Sequence, residues 1–227
     1  MGPRLVLVTV IIGILLLGGV GGGITAITPS EIRADNTDRG SPINFSSANL
    51  SADLVSDNSS TPDPNVEEGY NRTLIERYFI KRYNDERSSR GLQSVSQSRE
   101  LREMAKAHND DMAEHDYIGH TDSAGRTIQD RYEARGLLPE CRLDIKGSDR
   151  YYRGAENAAG GYVNRRFRVG DASYFVTDEQ ELAEALFSIW MNSPPHRRAM
   201  LVHSASEAGL GVSITESGKV YAALELC

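Results

Sequence analysis

Residues 188–201, "SIWMNSPPHRRAML", join an apolar helical stretch to a histidine through two prolines. Trp190 continues the apolar face of a helix that a T-x-x-Q capping box at Thr177 and Gln180 should open, and we assign it to the core. Proline cannot continue a helix interior but fits a first turn, so one helix should end here and another could start. His196 follows that break. It could either turn into a cleft or only hold the proline turn in place.

Upstream of this stretch, the spacing of apolar residues predicts helices. Apolar positions recur at helical spacing over 74–83 and over 101–112, and residues 128–132 lie in a third helix that should end at Gly136. His108 lies on the apolar face of the second helix. That position favours a packed, hydrogen-bonded histidine over a ligand-binding one.

Downstream, the pattern changes to that of β-strands. The segments "GLGVSIT" (209–215) and "KVYAALEL" (219–226) alternate apolar with other residues, and a Gly-containing turn between them predicts a hairpin. The segment 165–176 contains further short β-favouring pieces. Helices come mainly before strands, with one long helix returning between them. This order predicts an α+β fold in which helices cover an antiparallel sheet.

The N-terminus predicts a membrane segment over residues 1–29. No charge occurs in the 24 residues from Leu5 to Thr28, which is enough to span a bilayer of about 30 Å as a helix. Arg4 precedes this run and acidic residues follow it, which favours a single pass with the rest of the chain outside the cell. A secretory signal peptide is the alternative, with secretion after cleavage, because the run contains six glycines.

The composition of residues 30–68 predicts a disordered linker. They hold eight serines, three prolines, one aromatic residue and a net charge of −6, too little apolar surface to offset the entropy of ordering. Glycosylation sequons in and just after this segment predict a glycoprotein; they begin at Asn44, Asn49, Asn58 and Asn71. The remaining domain, 69–227, has a net charge of −2 and no basic patch, which argues against binding to nucleic acid.

The two cysteines are Cys141 and Cys227. Outside the cell they could form one disulfide, which would tie the last residue to a loop far upstream. Two unpaired thiols are the alternative.

Several common catalytic patterns are absent from the sequence: H-E-x-x-H, G-x-S-x-G, the P-loop and C-x-x-C. Three stretches carry the remaining candidate chemistry. Residues 115–126 contain His120 before a Gly-containing turn, residues 153–161 contain Glu156 among glycines and alanines, and the opening stretch contains His196.

An ordered set of motifs resembles the CAP superfamily of cysteine-rich secretory proteins, antigen 5 and pathogenesis-related proteins, in its prokaryotic SCP-like branch. The motifs are "GHTDSAGRTIQDRYEARG" (119–136), "GAENAAGG" (154–161), "WMNSPPHRRAML" (190–201) and "GLGVSI" (209–214). With "YNDERSSRGL" (83–92) they cover nearly all of the domain. The resemblance implies an exported three-layer α–β–α sandwich with a central, mainly antiparallel sheet. It also implies a cleft of two histidines and acidic residues that holds a divalent metal in some members.

On this resemblance, His120 and His196 are the two cleft histidines, and Glu156 is the glutamate of the Gly-Glu-Asn motif, here spelled Gly-Ala-Glu-Asn. Animal and plant members carry a second glutamate three residues after the tryptophan, where this chain has Ser193. Glu184 does not replace that residue, because we expect it to face solvent on its helix.

Two imidazoles and one carboxylate form a known ligand set for catalytic Zn²⁺, whose bound water could attack an ester or peptide bond. A divalent metal such as Zn²⁺ is therefore the only cofactor we consider. Without metal, His196 and Glu156 could form a general-base pair, although no convincing nucleophile accompanies them.

Structural roles compete with these functional ones. Glu156 could serve only to bond backbone amides of its loop, and we expect Asn157 to do so. We expect Arg126 and Arg131 to form structural ion pairs rather than to bind a substrate. His115 and His203 should be exposed.

The function that the sequence favours is a membrane-tethered ligand- or partner-binding module outside the cell, whose partner would be a lipid, peptide or protein. The first alternative is a metal-dependent hydrolase of peptides or cell-envelope polymers that uses His120, Glu156 and His196. The second is a purely structural surface protein with a glycosylated stalk.

Overall fold

The computed structural model of the protein describes residues 32–34, 66–147 and 149–227. Its helices, in chain order, are α1 (Arg72–Ser89), α2 (Arg99–Glu114), α3 (Ile128–Ala134), α4 (Glu179–Asn192) and α5 (Pro194–Met200). Its longest strands are β7 (Ala155–Tyr162), β10 (Glu207–Ile214) and β11 (Lys219–Leu226). The short strands are β1 (Ile32–Ala34), β2 (Val66–Glu67), β3 (Tyr70–Asn71), β4 (Ser96–Gln97), β5 (Leu143–Asp144), β6 (Tyr151–Tyr152), β8 (Phe167–Val169) and β9 (Ala172–Tyr174).

The central sheet is mixed and has the strand order β4-β10-β11-β7. The three long strands pair antiparallel, whereas the short β4 runs parallel to β10. The predicted hairpin is confirmed, with Ile214 opposite Val220 next to its turn. The other short strands of the described residues form three further sheets, β1-β8-β9, β2-β3 and β5-β6. The prediction of an α+β fold is confirmed, and its helices pack on a mixed central sheet whose three long strands are antiparallel.

Strand β10 is buried on both faces because helices lie on either side of it. Gly209 and Gly211 face α2, and a Cβ atom at either position would clash with the α2 backbone. Leu210 and Val212 point the other way, into the core shared with α1 and α4. The alternation of glycine with branched residues therefore lets α2 approach closely while the opposite face fills the core.

Helices α1 and α4 pack together through aromatic rings. Phe79 meets Trp190 edge-on with ring centroids 5.3 Å apart, and Trp190 is fully buried, which confirms its assignment to the core. The two prolines both end α4 and begin α5, since Ser193 is the C-cap of the first helix and the N-cap of the second.

The predicted capping box of α4 is wrong by one residue. The N-cap is Asp178, whose side chain accepts a hydrogen bond from the Glu181 amide. The Glu181 carboxylate in turn accepts from both the amide and the hydroxyl of Thr177. Aspartate is a stronger N-cap than threonine, so the helix begins one residue later than we predicted.

The described residues contain no helix with the length and apolar character needed to cross a bilayer. The predicted membrane segment and most of the predicted linker lie outside the described residues, as do the sequons at Asn44, Asn49 and Asn58. Two strands, β1 and β2, fall within the segment for which we predicted a linker. The remaining sequon residue, Asn71, caps α1 through its Oδ1 atom.

A buried arginine holds the chain that follows α5. Arg87 is fully buried on α1. Its Nε donates to Gln93 O at 2.7 Å, its Nη1 donates to Met200 O at 2.8 Å and to Val202 O at 2.9 Å, and its Nη2 donates to Ala205 O at 3.0 Å. Backbone carbonyl groups thus replace the water that a guanidinium loses on burial.

Replacing Arg87 by lysine should destabilise the fold by about 3 kcal/mol or more, because an ammonium group cannot span carbonyl oxygens on three sides and leaves some of them unpaired. Urea unfolding of the full chain measures this. Arg90→Lys is the matched control, since Arg90 is exposed and, among the described residues, its one ion pair is with Glu86. Equal unfolding midpoints for the two variants would contradict the role of Arg87.

The predicted disulfide between Cys141 and Cys227 is confirmed. It links residues 86 positions apart and joins the last residue of the chain to the segment before β5. Cys141 is fully buried in a small cluster that also contains Leu101, Met104 and Tyr132.

Replacing both cysteines by serine should lower the free energy of unfolding by about 4–5 kcal/mol, because the unfolded chain would regain the freedom of a long loop. Urea unfolding with and without reductant measures the change. Reductant should destabilise the wild-type protein and leave the double variant unaffected; equal sensitivity of the two proteins would contradict the prediction.

Candidate functional site

Glu156 is the centre of a buried polar cluster. It lies near the start of β7 and is only 2% exposed. His120 Nδ1 donates to its Oε1 at 2.7 Å, and Arg131 Nη2 donates to its Oε2 at 2.5 Å. His108 Nε2 lies 3.8 Å from the same Oε1. Helices α2 and α3 and the loop between them therefore all contribute to the cluster around one carboxylate.

Arg131 also fixes the loop that carries His120. Its Nη1 donates to His120 O at 3.0 Å, while its Nη2 holds Glu156. Because a carboxylate only accepts hydrogen bonds, the Nδ1 atom of His120 carries the hydrogen in this contact. One guanidinium thus orients both the acid and the imidazole.

The Glu156 carboxyl is ionised at neutral pH. Burial alone would raise its pKa, but the His120 hydrogen bond and the charge of Arg131 lower the pKa to about 2. The cluster therefore holds a compensated negative charge rather than a neutral acid.

A second glutamate, Glu225, joins this cluster from β11, where it lies directly opposite Glu156 across the strand pair. Glu225 is fully buried, and burial followed by the charge of Glu156 raises its pKa well above the usual range. The side chains of Glu156 and Tyr132 lie beside it, but neither Glu225 oxygen has a partner with hydrogen-bond geometry among the described residues. This second carboxyl therefore keeps its proton to a higher pH than an exposed glutamate does.

Glu225 was not predicted as a site residue. Alternation in β11 drew attention to Val220, Ala222, Leu224 and Leu226 and said nothing about the residues between them. In the structure α2 covers the face on which those residues lie, so every described position of the strand after Lys219 is buried. The sequence feature that could have indicated a buried Glu225 is that it is a single charged residue inside the apolar stretch 220–226.

His196 lies in the first turn of α5 and is half-buried, and its Nδ1 atom is buried with no hydrogen-bond partner in the part of the chain that the structure describes. Burial, with a smaller contribution from His120, lowers its pKa to about 4, so the ring is neutral at neutral pH. Asn157 Nδ2 donates to His196 O at 3.1 Å. Asn157 therefore has a structural role, but it lies in β7 and holds the backbone of α5 rather than backbone groups of a loop around it.

His120, Glu156 and His196 line one cleft with a volume of about 420 Å³. The structure thus brings together the three residues that the resemblance selected. Glu184 is not part of this cleft. It is half-buried and pairs with Arg82 of α1 at 3.3 Å, which corrects our expectation that it faces solvent.

The other polar predictions are confirmed. Nε2 of the buried His108 donates to Gly119 O at 2.8 Å. Arg126 and Arg131 form ion pairs, with Asp122 at 2.7 Å and with Glu156 at 2.5 Å. The predicted exposure of His115 and His203 is confirmed, and His203 lies at the cleft.

The arrangement does not fit a metal site built from the three cleft residues. Within the described part of the chain, no three His, Cys, Asp or Glu side chains are placed to share one ion. Both oxygens of Glu156 already accept hydrogen bonds, one from His120 Nδ1 and one from Arg131.

Comparison with protein families matches residues 80–225 to CAP, the cysteine-rich secretory protein family. The match covers more than half of the sequence, and the chain belongs to this family. The buried histidine–glutamate cluster is thus a feature of a CAP domain with an α+β fold. A search of curated proteins found no match.

Solved structures of several bacterial proteins are similar. An outer surface protein from Borrelia burgdorferi is 15% identical, with a TM-score of 0.48, over 66% of this chain and 89% of that one. An extracellular SCP-domain protein from Bacillus anthracis is 19% identical, with a TM-score of 0.44, over 68% of this chain and 40% of that one. A cysteine-rich secretory protein from Staphylococcus aureus is 18% identical, with a TM-score of 0.38, over 68% and 38%. The chain therefore spans less than half of the last two proteins.

The raised pKa of Glu225 makes the stability of the fold depend on pH. A carboxyl whose pKa rises on folding stabilises the fold below its unfolded-state pKa of about 4.3, and this contribution is lost as the pH rises towards the folded-state value. As the pH rises above that unfolded-state value, the wild-type protein should therefore lose stability relative to Glu225→Gln, until the pH passes the raised pKa of the folded state.

Urea unfolding of both proteins at several pH values measures this difference. Glu207→Gln is the control, because Glu207 is exposed at the start of β10. Parallel pH profiles for wild type and Glu225→Gln would show that the buried carboxyl does not hold its proton.

Proposed function

We propose that the protein is a membrane-tethered CAP domain outside the cell that binds a ligand or partner through the cleft at His120, Glu156 and His196. Residues 1–29 would anchor it, and residues 30–68, with their glycosylation sequons, would form the linker. Helix α2 on one face of the sheet, and α1 and α4 on the other, support the description as a three-layer sandwich.

The composition of the cleft wall is the observation that carries this proposal. Most of the surface that lines the cleft is apolar, although half of the lining residues are polar or charged; the apolar and aromatic ones include Ile145, Tyr152, Pro195, Ala199, Leu201 and Val202. A concave site of about 420 Å³ with apolar walls and a few polar groups is typical of small-molecule and cofactor sites. Because Glu156 is already compensated by Arg131 and His120, the polar base of the cleft is preorganised and needs no counter-ion from a ligand.

The alternative, a hydrolase, has one observation in its favour. His196 is a neutral imidazole in the cleft and could accept a proton. Among the described residues that line the cleft, however, there is no serine, threonine or cysteine to act as a nucleophile. Within the described part of the chain, no three His, Cys, Asp or Glu side chains are placed to hold the metal ion that would activate a water.

Filling the cleft should abolish binding of a neutral apolar probe. Ala199→Phe places a ring in the cleft from α5, and we expect it to weaken binding of the methyl ester of 11-(dansylamino)undecanoic acid at least tenfold. Trp190 is the only tryptophan of the chain, so energy transfer from Trp190 to the dansyl group reports binding to the full chain in zwitterionic micelles. Ala124→Phe is the matched control, because Ala124 lies on an exposed turn outside the cleft.

Equal probe binding by Ala199→Phe and wild type would contradict a role for the cleft in binding. The hydrolase alternative has its own test, a library of peptides and esters assayed with and without Zn²⁺. Sustained turnover that disappears in His196→Ala would replace the binding proposal by the alternative.

A further inference from the structure

The mouth of the cleft carries two cations with no acidic partner among the described residues. Lys146 and Arg198 both line the cleft and are exposed, and neither forms an ion pair within the described part of the chain. Asp144 also lines the cleft, but Arg142 pairs with it at 2.7 Å. Apart from Asp144 and Glu156, no carboxylate among the described residues lines this cavity.

This local positive charge runs against the composition of the chain. The protein has a net charge of −7, yet the cleft presents Lys146 and Arg198 at its mouth. The charge at its base, on Glu156, is balanced by the guanidinium of Arg131. A cleft with low-dielectric walls focuses such a field on whatever enters it.

The interior of the cleft is suited to the uncharged part of a ligand. Ile145, Leu201 and Val202 supply apolar wall, and the charged side chains Lys146 and Arg198 are exposed rather than buried within it. Charge recognition is therefore confined to the mouth, where solvent reduces the cost of desolvating a ligand charge.

We propose that the ligand is an apolar chain that ends in a carboxylate, with the chain in the cleft and the carboxylate at Lys146 and Arg198. This inference rests on the proposed function and names the chemical class of its ligand. A carboxylate matches the planar fork of an arginine and carries less charge to desolvate than a phosphate dianion. The same chemistry occurs in a long-chain acid and at the C-terminus of an apolar peptide.

The test compares two probes that differ in one charge, 11-(dansylamino)undecanoate and its methyl ester. Each probe is titrated into the full chain in zwitterionic micelles. Energy transfer from Trp190 to the dansyl group reports binding. We expect the acid to bind about tenfold more tightly than the ester, and its advantage to fall as salt rises. The double variant Lys146→Gln/Arg198→Gln should lose this advantage and bind the ester as wild type does.

A matched control removes two other exposed cations. Arg77→Gln/Arg135→Gln changes the net charge of the protein by the same amount, and both residues lie outside the cleft. It should leave the preference for the acid intact. If this control removes the preference as fully as the cleft variant does, the effect belongs to net charge and the proposal fails.

A second pair of probes distinguishes the two sources of carboxylate. Dansyl-trileucine with a free C-terminus is compared with its C-terminal amide. A preference for the free acid in this pair supports a peptide terminus, and a preference only in the undecanoate pair supports a long-chain acid.

The outcomes separate this inference from the function on which it rests. If acid and ester bind equally and Ala199→Phe blocks both, the cleft binds ligands but carboxylate recognition is overturned. If Ala199→Phe affects neither probe, the proposed function itself fails.

Discussion

The ionised carboxylate of Glu156 is the constraint on which the site depends. A buried charge costs several kcal/mol unless hydrogen bonds and opposite charge replace its water, and here Arg131 and His120 do so from two sides. Arg131 comes from α3, His120 from the loop before it, and Glu156 from β7. The geometry that stabilises the charge therefore also fixes one end of the cleft.

The same cluster contains two buried carboxyls but one guanidinium that contacts them closely. Glu156 takes that guanidinium and is ionised, whereas the pKa of Glu225 is raised well above its usual range. The negative charge at the base of the cleft is therefore balanced by Arg131. An apolar ligand can then approach the base of the cleft without meeting a bare anion, which is why the cations at the mouth can dominate recognition.

The sequence predicted elements whose pattern is local and missed interactions that depend on a third element. The hairpin of β10 and β11, the break at the prolines and the burial of Trp190 all followed from periodicity and turn chemistry. Glu225 did not, because alternation along a strand cannot show that α2 covers its second face. Arg87 did not either, because its partners are backbone carbonyls, which leave no pattern in sequence. The three cleft residues were grouped by resemblance, since no spacing rule joins positions so far apart.

The walls of the cleft are held far more firmly than its mouth. Arg87 fixes the chain from Met200 to Ala205, and the Asp144 amide donates to Ser204 Oγ at 2.7 Å, which ties the opposite wall to it. The disulfide at Cys141 fixes the chain just before that wall. A preformed wall lowers the entropy lost when a ligand binds. Lys146 and Arg198 are exposed and unpaired among the described residues, so they can adjust to a carboxylate without disturbing this framework. Affinity for the apolar chain and selection of the charged end thus arise from different parts of the cleft.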